Sequence, residues 1–177
     1  MSQTESKKAL LLIGYQNDYF AADGVLQAVV EESVKANNVL ENTLKIVDKA
    51  LEKNVSVYAT PIKFNDDYRE LDRPIGILKT CKDVGAFRRS SPGSETIDEL
   101  KNYGDAIQEL PGKTGLNAFS NTDLLQSLQE KGVQDLLIAG VVTSVCIDST
   151  ARYAADQGFT VTILSDCTAG RNAFEQE

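Results

Sequence analysis

Short apolar runs rich in branched side chains recur along the chain. Such runs predict strands that are covered on both faces, as in a parallel sheet. They span residues 9–13, 55–60, 106–110, 136–141 and 159–164. Amphipathic segments lie between some of these runs, and their apolar residues at helical spacing predict helices. We expect one helix over 33–53 that closes at Asn54, one capped by Ser120 or Asn121 that stops at Gly132, and one from Val145 that stops at Gly158.

This alternation of strands and helices predicts a doubly wound α/β sheet with right-handed crossovers. Residues 62–105 are the least regular part, because several glycines and Pro92 favour long loops around one short helix at 97–103. No repeat or linker divides the chain, so we expect a single domain over residues 1–177, with a final covering helix missing after the last strand.

Composition narrows the possible partners and the compartment. The net charge of −8 argues against nucleic acid and anionic membrane, since both attract basic patches. No apolar run approaches the ~20 residues that a membrane span needs. The polar first eight residues lack the apolar core of a signal peptide. Three widely spaced cysteines form no disulfide framework, so we expect a cytoplasmic protein.

The chain contains no histidine. Ser–His–Asp and Cys–His catalysis are therefore excluded. A zinc site would have to use cysteines and carboxylates alone, and no Cys-x-x-Cys pair is present. We predict neither a metal nor a cofactor.

Cys146 has the most informative setting in the chain. The predicted strand at 136–141 leads into Thr143 and Ser144, which are common N-cap residues, and the helical spacing begins at Val145. Cys146 is thereby expected in the first turn of a helix, where the helix dipole and free backbone N–H groups favour a thiolate. It also lies at the carboxyl end of a buried strand, the edge at which open parallel sheets bind ligands.

The alternative for Cys146 is a small buried hydrophobe without chemistry, which is the common state of a free cysteine. Cys81 and Cys167 stand in no comparable strand-to-helix setting. We interpret both of them as structural.

Lys113 follows the predicted strand at 106–110, so we expect it at the same sheet edge as Cys146. A lysine beside a thiol stabilises the thiolate by direct charge interaction. Its Gly-Lys-Thr context suggests a phosphate-binding P-loop, but that motif needs another glycine six residues before the lysine, where the chain has Ile107. A solvated loop charge is the ordinary alternative for any lysine.

Three segments together resemble the isochorismatase-like cysteine hydrolases, in that family's order and spacing over nearly the full length. They cover residues 9–20, 113–124 and 138–154. The third contains Gly-Val-x-Thr-x-x-Cys followed by Thr-Ala-Arg, which is highly specific. The resemblance implies a three-layer α/β sandwich with a central parallel sheet, and a homo-oligomer (a dimer or tetramer).

The resemblance also implies roles for individual residues. Cys146 would be the nucleophile and Lys113 the catalytic lysine. The bond between Val141 and Val142 would be cis, and the backbone N–H groups of Val142 and Cys146 would form the oxyanion hole. We further predict that Phe20 and Phe119, in the first two of these segments, bind the substrate.

The chain departs from the family at Gly14, which occupies the position of the family's catalytic aspartate. We expect a void there beside Cys146 and Lys113, and we expect Gly14→Asp to fill it and raise amide hydrolysis. Asp18 matches the second acidic residue of the family's first motif, which has no catalytic role. The metal-binding histidines of the nicotinamidase branch are absent, and the presence of Cys146 implies amide or related C–N substrates.

We therefore predict a metal-independent hydrolase that cleaves a small amide or other C–N substrate through a Cys146 thioester. The alternative is a catalytically inert or altered relative that binds a small molecule or partner in the same pocket, which Gly14 favours. A nucleotide or flavin binder would rest on fold analogy alone. The loops within 62–105 are expected to set specificity, and the substrate's identity does not follow from the sequence.

Overall fold

A five-stranded, all-parallel sheet in the order β3-β2-β1-β4-β5 forms the centre of the protein. The structure is a computed structural model that describes residues 6–176. The strands are β1 (Lys8–Ile13), β2 (Ser56–Ala59), β3 (Ile107–Glu109), β4 (Asp135–Val141) and β5 (Thr160–Ala169). The predicted doubly wound α/β sheet is confirmed.

Helices lie on both sides of the sheet, which gives the predicted three layers. They are α1 (Asn17–Phe20), α2 (Gln27–Ala36), α3 (Val39–Glu52), α4 (Gly76–Val84), α5 (Asp98–Lys101), α6 (Leu124–Glu130), α7 (Asp148–Asp156) and α8 (Ala173–Gln176). Short 3-10 turns occur at Pro92–Ser94 and Gly104–Ala106, and a π-helical turn occurs at Thr143–Ile147. No helix within the described residues has both the length and the apolar character needed to cross a membrane.

Two hydrophobic cores lie on opposite faces of the sheet, because successive strand residues point to opposite sides. On one face Leu10 and Leu12 belong to a core that includes residues of α2 and α3. On the other face Leu11 and Ile13 pack with Leu124 and other residues of α6 and α7. All four of these β1 side chains are at most 1% exposed, so the central strand is covered on both sides.

The order of the strands creates a crevice at the centre of the sheet. The chain passes from β1 outward through β2 to β3, and then returns to place β4 on the other side of β1. The loops that leave β1 and β4 therefore diverge at their carboxyl ends. This is the topological switch point, where open α/β sheets bind ligands. Gly14 follows β1 and Cys146 follows β4 at this edge.

The single helix predicted over 33–53 is wrong: two helices, α2 and α3, occupy the region. The break falls at Asn38, which adopts a left-handed backbone conformation with φ of 49°. Asparagine tolerates that conformation better than most residues. The pair Asn37 and Asn38 therefore interrupts the amphipathic pattern without a glycine or proline. The predicted closure at Asn54 is confirmed, since this residue follows the C-cap Lys53 of α3 and has φ of 56°.

Other differences concern short elements. Helix α4 lies in the region predicted as loops, and its apolar face spans only two turns between Pro74 and Gly85. The helix predicted at 97–103 is limited to α5. Helix α6 begins at Leu124, after Asp123 rather than after Ser120 or Asn121. Strand β5 continues to Ala169 through polar residues, because its pairing with β4 resumes after a register shift. The polar start that argues against a signal peptide falls partly on residues 1–5, outside the described residues.

Candidate active site

Cys146 lies where a buried strand passes into a helix. The π-helical turn Thr143–Ile147 joins the end of β4 directly to α7. The N–H groups of Val145 and Ile147 both donate to the carbonyl oxygen of Val142, at 3.0 and 3.3 Å, which fixes the turn. The peptide bond between Val141 and Val142 is cis. Cys146 is 8% exposed, so its thiol is almost completely shielded from bulk water.

The prediction that Thr143 and Ser144 cap this helix is wrong. Val142 holds the N-cap position, and no side chain caps the turn. The hydroxyl of Thr143 instead contacts the side chain of Gln176 at 2.8 Å, and that of Ser144 donates to Glu175 at 2.8 Å. Both hydroxyls therefore fasten the turn to α8 at the edge of the sheet.

Lys113 reaches the thiol from the far side of the crevice. Its ammonium donates to the carbonyl oxygen of Gly115 at 2.7 Å and lies 3.7 Å from Sγ of Cys146. Lys113 is only 2% exposed, so it is not a solvated loop charge. It is not a P-loop lysine either, because a P-loop runs directly into a helix and here the next helix starts only at Leu124. The structure thus brings together two residues that are 33 positions apart in the chain.

A narrow, largely apolar cavity of about 10 Å³ surrounds these two groups, which is room for about one water molecule. Helix α4 covers it with Ile77, Leu78 and Cys81. These three side chains share one face of the helix, at the i, i+1 and i+4 spacing. A molecule larger than water therefore fits only when some of the surrounding side chains move. The lining comprises Ile13, Gly14, Tyr19, Ile62, Ile77, Leu78, Cys81, Phe87, Lys113, Leu116, Val141 and Cys146.

Gly14 lines this cavity, but the predicted void at its side-chain position is wrong. The backbone at Gly14 has φ of +78°, a conformation that L side chains rarely adopt. A Cβ atom added there would lie 2.7 Å from the carbonyl oxygen of Val141 and 2.8 Å from its Cγ2 atom. The end of β4 thus occupies the space in which the sequence predicts room for a carboxylate.

Asp18 has a structural position beside the site. It is 4% exposed, and its carboxylate accepts a hydrogen bond from the backbone N–H of Phe87 at 2.6 Å. Gly93 packs directly on this carboxylate, with no room for a side chain. Asp18 is not among the residues that line the cavity. Its contacts hold the segment from Phe87 to Gly93 against α1, the helix that contains Asp18.

Among the lining residues that the sequence did not assign to the site, two carry ionisable groups, Tyr19 and Cys81. Cys81, which the sequence predicts to be structural, lies on the covering face of α4. Burial above all, and then the nearby Cys146, raises the pKa of Cys81 to about 12. Burial, followed by the neighbouring Cys146 and Cys81, holds the pKa of Tyr19 well above its usual range. The one sequence feature that could have placed Cys81 beside Ile77 in the cavity is the helical spacing between these two residues.

The two aromatic residues predicted to bind substrate lie elsewhere. Phe20 stacks on Tyr15 with ring centroids 5.2 Å apart, at the margin of one core. Phe119 is 7% exposed and packs between Tyr153 and Phe159 in the other core. Neither ring lines the cavity, so the prediction that they bind substrate finds no support in its geometry.

We expect Cys146 to be alkylated faster than Cys81 and Cys167 when native protein reacts with iodoacetamide at neutral pH. Only an ionised thiol reacts, and a neighbouring cation favours that form. Burial raises the pKa of Cys81 to about 12, and burial with Asp166 raises that of Cys167 to about 11, so both stay protonated. Peptide mass spectrometry measures the three rates, with urea-unfolded protein as the control. Equal labelling of all three cysteines in the native protein would contradict a reactive Cys146.

The sequence also predicts that the protein binds no metal ion. Among residues 6–176, no group of three or more His, Cys, Asp or Glu side chains is arranged to hold a metal ion. Independence from metals and cofactors stays a prediction. The cytoplasmic location and the homo-oligomer likewise stay predictions.

Comparison with known proteins identifies the family. The family model "Isochorismatase domain" matches residues 8–177, and the chain belongs to this family. Nicotinamidase 3 of Arabidopsis thaliana is 27% identical over 164 residues, which cover 93% of this chain and 74% of that protein. A probable inactive nicotinamidase of the same plant is 29% identical over 171 residues, with 96% and 84% covered.

A solved structure shows the same fold. The crystal structure of an isochorismatase family protein from Desulfovibrio vulgaris superposes with a TM-score of 0.81 and 22% identity. The superposition covers 97% of this chain and 86% of that one. The fold and the family implied by the three sequence segments are therefore both confirmed, and the membership supports a hydrolase.

Proposed function

We propose that the protein hydrolyses a small amide or related C–N substrate through a thioester on Cys146, without a metal. The observation that carries this proposal is the buried contact of 3.7 Å between the ammonium of Lys113 and the thiol of Cys146. Burial strengthens a charge interaction of this kind, because the local dielectric is low. The contact also lies at the switch point of the sheet, where a ligand is expected.

In the proposed reaction, Cys146 gives up its proton and its sulfur attacks the substrate carbonyl carbon. The backbone N–H groups of Val142 and Cys146 stabilise the resulting oxyanion. The C–N bond breaks as the nitrogen takes a proton, which leaves an acyl thioester. Water then cleaves the thioester, releases the acid and restores the thiol. The ammonium of Lys113 stabilises the negative sulfur before the attack and again as the thioester is cleaved.

Membership of the isochorismatase family and the nicotinamidase relative support the amide class. The cavity supports a small substrate, since its lining is apolar apart from a few groups and α4 covers it closely. We also propose that the protein's partner is a small molecule and that the chain assembles into a homo-oligomer.

The second candidate function is a small-molecule binder that has lost catalysis. Gly14 favours it, because position 14 offers no carboxylate to move protons. The relative named a probable inactive nicotinamidase, at 29% identity, supports it as well. The two candidates differ in one measurable property, the turnover of an amide.

We expect wild-type protein to release ammonia from at least one member of a panel of small aliphatic amides. Cys146→Ala removes the nucleophile, so its rate should fall to the background of the assay. Cys167→Ala is the matched control, because Cys167 is also a buried free cysteine but does not line the cavity. A coupled assay for ammonia measures all three proteins.

Two outcomes would contradict the hydrolase. Equal rates for wild type and Cys146→Ala would exclude a thioester on this residue. Amides that raise the melting temperature without any turnover would identify the binding protein instead.

A further inference from the structure

The ammonium of Lys113 has more hydrogen-bond donors than the protein uses. An ammonium carries three N–H donors. The described residues provide two partners, the carbonyl oxygen of Gly115 and the sulfur of Cys146. None of the ion pairs within residues 6–176 includes Lys113. Buried charges in proteins are normally paired, because an unpaired charge loses its hydration without compensation.

The surrounding chain does not supply the missing anion. Gly14 has no side chain, and the end of β4 fills the space beside it. Asp18 is held by the backbone N–H of Phe87 and does not line the cavity. Within the cavity lining, Lys113 is the one charged residue and no carboxylate is present. The cavity therefore combines a largely apolar wall, a buried cation and the thiols of Cys81 and Cys146.

We propose that the substrate itself carries the carboxylate: the site takes a short amide of a dicarboxylic acid or a similar small anionic amide. This inference rests on the proposed function and names its substrate class. The substrate carboxylate binds the free donor of Lys113 and replaces the protein carboxylate that Gly14 lacks. The apolar lining restricts the link between carboxylate and amide to a few carbon atoms without further polar groups.

The bound carboxylate also moves the protons of the reaction. It accepts the proton from Sγ of Cys146 as the sulfur–carbon bond forms. It passes that proton to the amide nitrogen as the carbon–nitrogen bond breaks, and ammonia leaves. The carboxylate then takes a proton from the attacking water and returns it to the sulfur as the thioester opens. The sum is one amide and one water converted to one acid and ammonia.

Iodoacetate and iodoacetamide form a matched pair of probes, because they differ mainly in the carboxylate. We expect iodoacetate to alkylate Cys146 at least about tenfold faster than iodoacetamide, once the rate of each reagent is divided by its rate with free cysteine in the same solution. A factor of about ten corresponds to one hydrogen bond to a charged group. The net charge of −8 repels an anion from the protein as a whole. A preference for iodoacetate must therefore arise locally.

Lys113→Met should remove the preference, since methionine has a similar length and no charge. Lys63→Met is the control: Lys63 is held near the same sheet edge, its N–H donates to the carbonyl oxygen of Lys113, and its ammonium pairs with Glu95 and Glu109 rather than with the cavity. It should keep the preference. If Lys113→Met does not fold, the wild-type protein makes the same distinction. Acetate, but not acetamide, should then slow the alkylation of Cys146 by iodoacetate.

Turnover gives the second test. Succinamate should be hydrolysed at least tenfold faster than butyramide, and added formate or acetate should accelerate butyramide hydrolysis in a saturable way. Equal alkylation by the two probes, with neutral amides hydrolysed and acetate without effect, would overturn the carboxylate's role and leave the hydrolase standing. A clear preference for iodoacetate with no amide hydrolysed would keep the anion site and overturn both the proton transfer and the hydrolase.

Discussion

Gly14→Asp is expected to lower the free energy of unfolding by roughly 2–5 kcal/mol and to leave amide turnover no higher than in the wild type. The left-handed conformation at this position costs an L residue about 1–2 kcal/mol. The new Cβ would also lie 2.7 and 2.8 Å from atoms of Val141, and forcing atoms into a packed interior typically costs about 1–3 kcal/mol. Urea unfolding followed by circular dichroism measures the stability, and ammonia release measures the turnover.

Two alanine variants separate the cost of the left-handed backbone conformation from the cost of the close contacts with Val141. Gly14→Ala adds the same Cβ without the carboxylate, so it should show most of the loss. Gly158→Ala adds a Cβ at φ of +89° where no atom lies within 4 Å, so it should show only the backbone cost. If Gly14→Asp were as stable as Gly158→Ala and hydrolysed amides faster than wild type, the end of β4 would yield easily and the original expectation of a usable void would be correct.

This geometry bears on the aspartate that the family resemblance implies at position 14. A single substitution that only removes a carboxylate would leave room for its return. Here the backbone of Gly14 and the side chain of Val141 are packed against each other, so position 14 accommodates glycine but not a larger residue without strain. That constraint agrees with a substrate that brings its own carboxylate, and also with a protein that only binds.

The strands of the sheet could be predicted because the apolar pattern of each strand indicates by itself that both faces are buried. Runs such as 136–141 are apolar on both faces, and that pattern depends only on local sequence. The division of the predicted long helix could not be read in this way, because Asn38 adopts its left-handed conformation in the context of two packed helices. Helix α4 was missed since its apolar face is only two turns long.

The features of the site also fall into two groups, those that follow from the sequence and those that depend on packing in three dimensions. The pairing of Cys146 with Lys113 follows from strand ends that meet at one sheet edge, together with the family motifs. The space at Gly14 depends instead on where the neighbouring strand β4 ends in three dimensions. The same holds for Cys81, which reaches the cavity only because α4 folds over it. Aromatic residues next to a motif, such as Phe20 and Phe119, fill the cores as readily as they line a site.

Lys113→Met is expected to raise the free energy of unfolding by about 1–4 kcal/mol while it lowers amide turnover by roughly 10²–10⁴-fold. Lys113 is 2% exposed and pairs with no carboxylate among the ion pairs of residues 6–176. Methionine has a similar length and suits the apolar lining, so the substitution removes an unfavourable buried charge. The lost hydrogen bond from the charged ammonium to Gly115 offsets about 1.5–3 kcal/mol of the several kcal/mol of desolvation that the substitution relieves, so a net gain is still expected.

The sign of the stability change is the informative part, because most substitutions of buried residues destabilise a protein. A variant that is more stable and less active marks a residue kept for function at a cost in stability. Lys63→Met removes the same charge from a partly exposed pair, so its stability should change by about 0–1 kcal/mol and its turnover should persist. A loss of stability in Lys113→Met would show that the ammonium mainly holds the loop through Gly115. Unchanged turnover in Lys113→Met would remove Lys113 from the mechanism and, with it, the anion site proposed for the substrate.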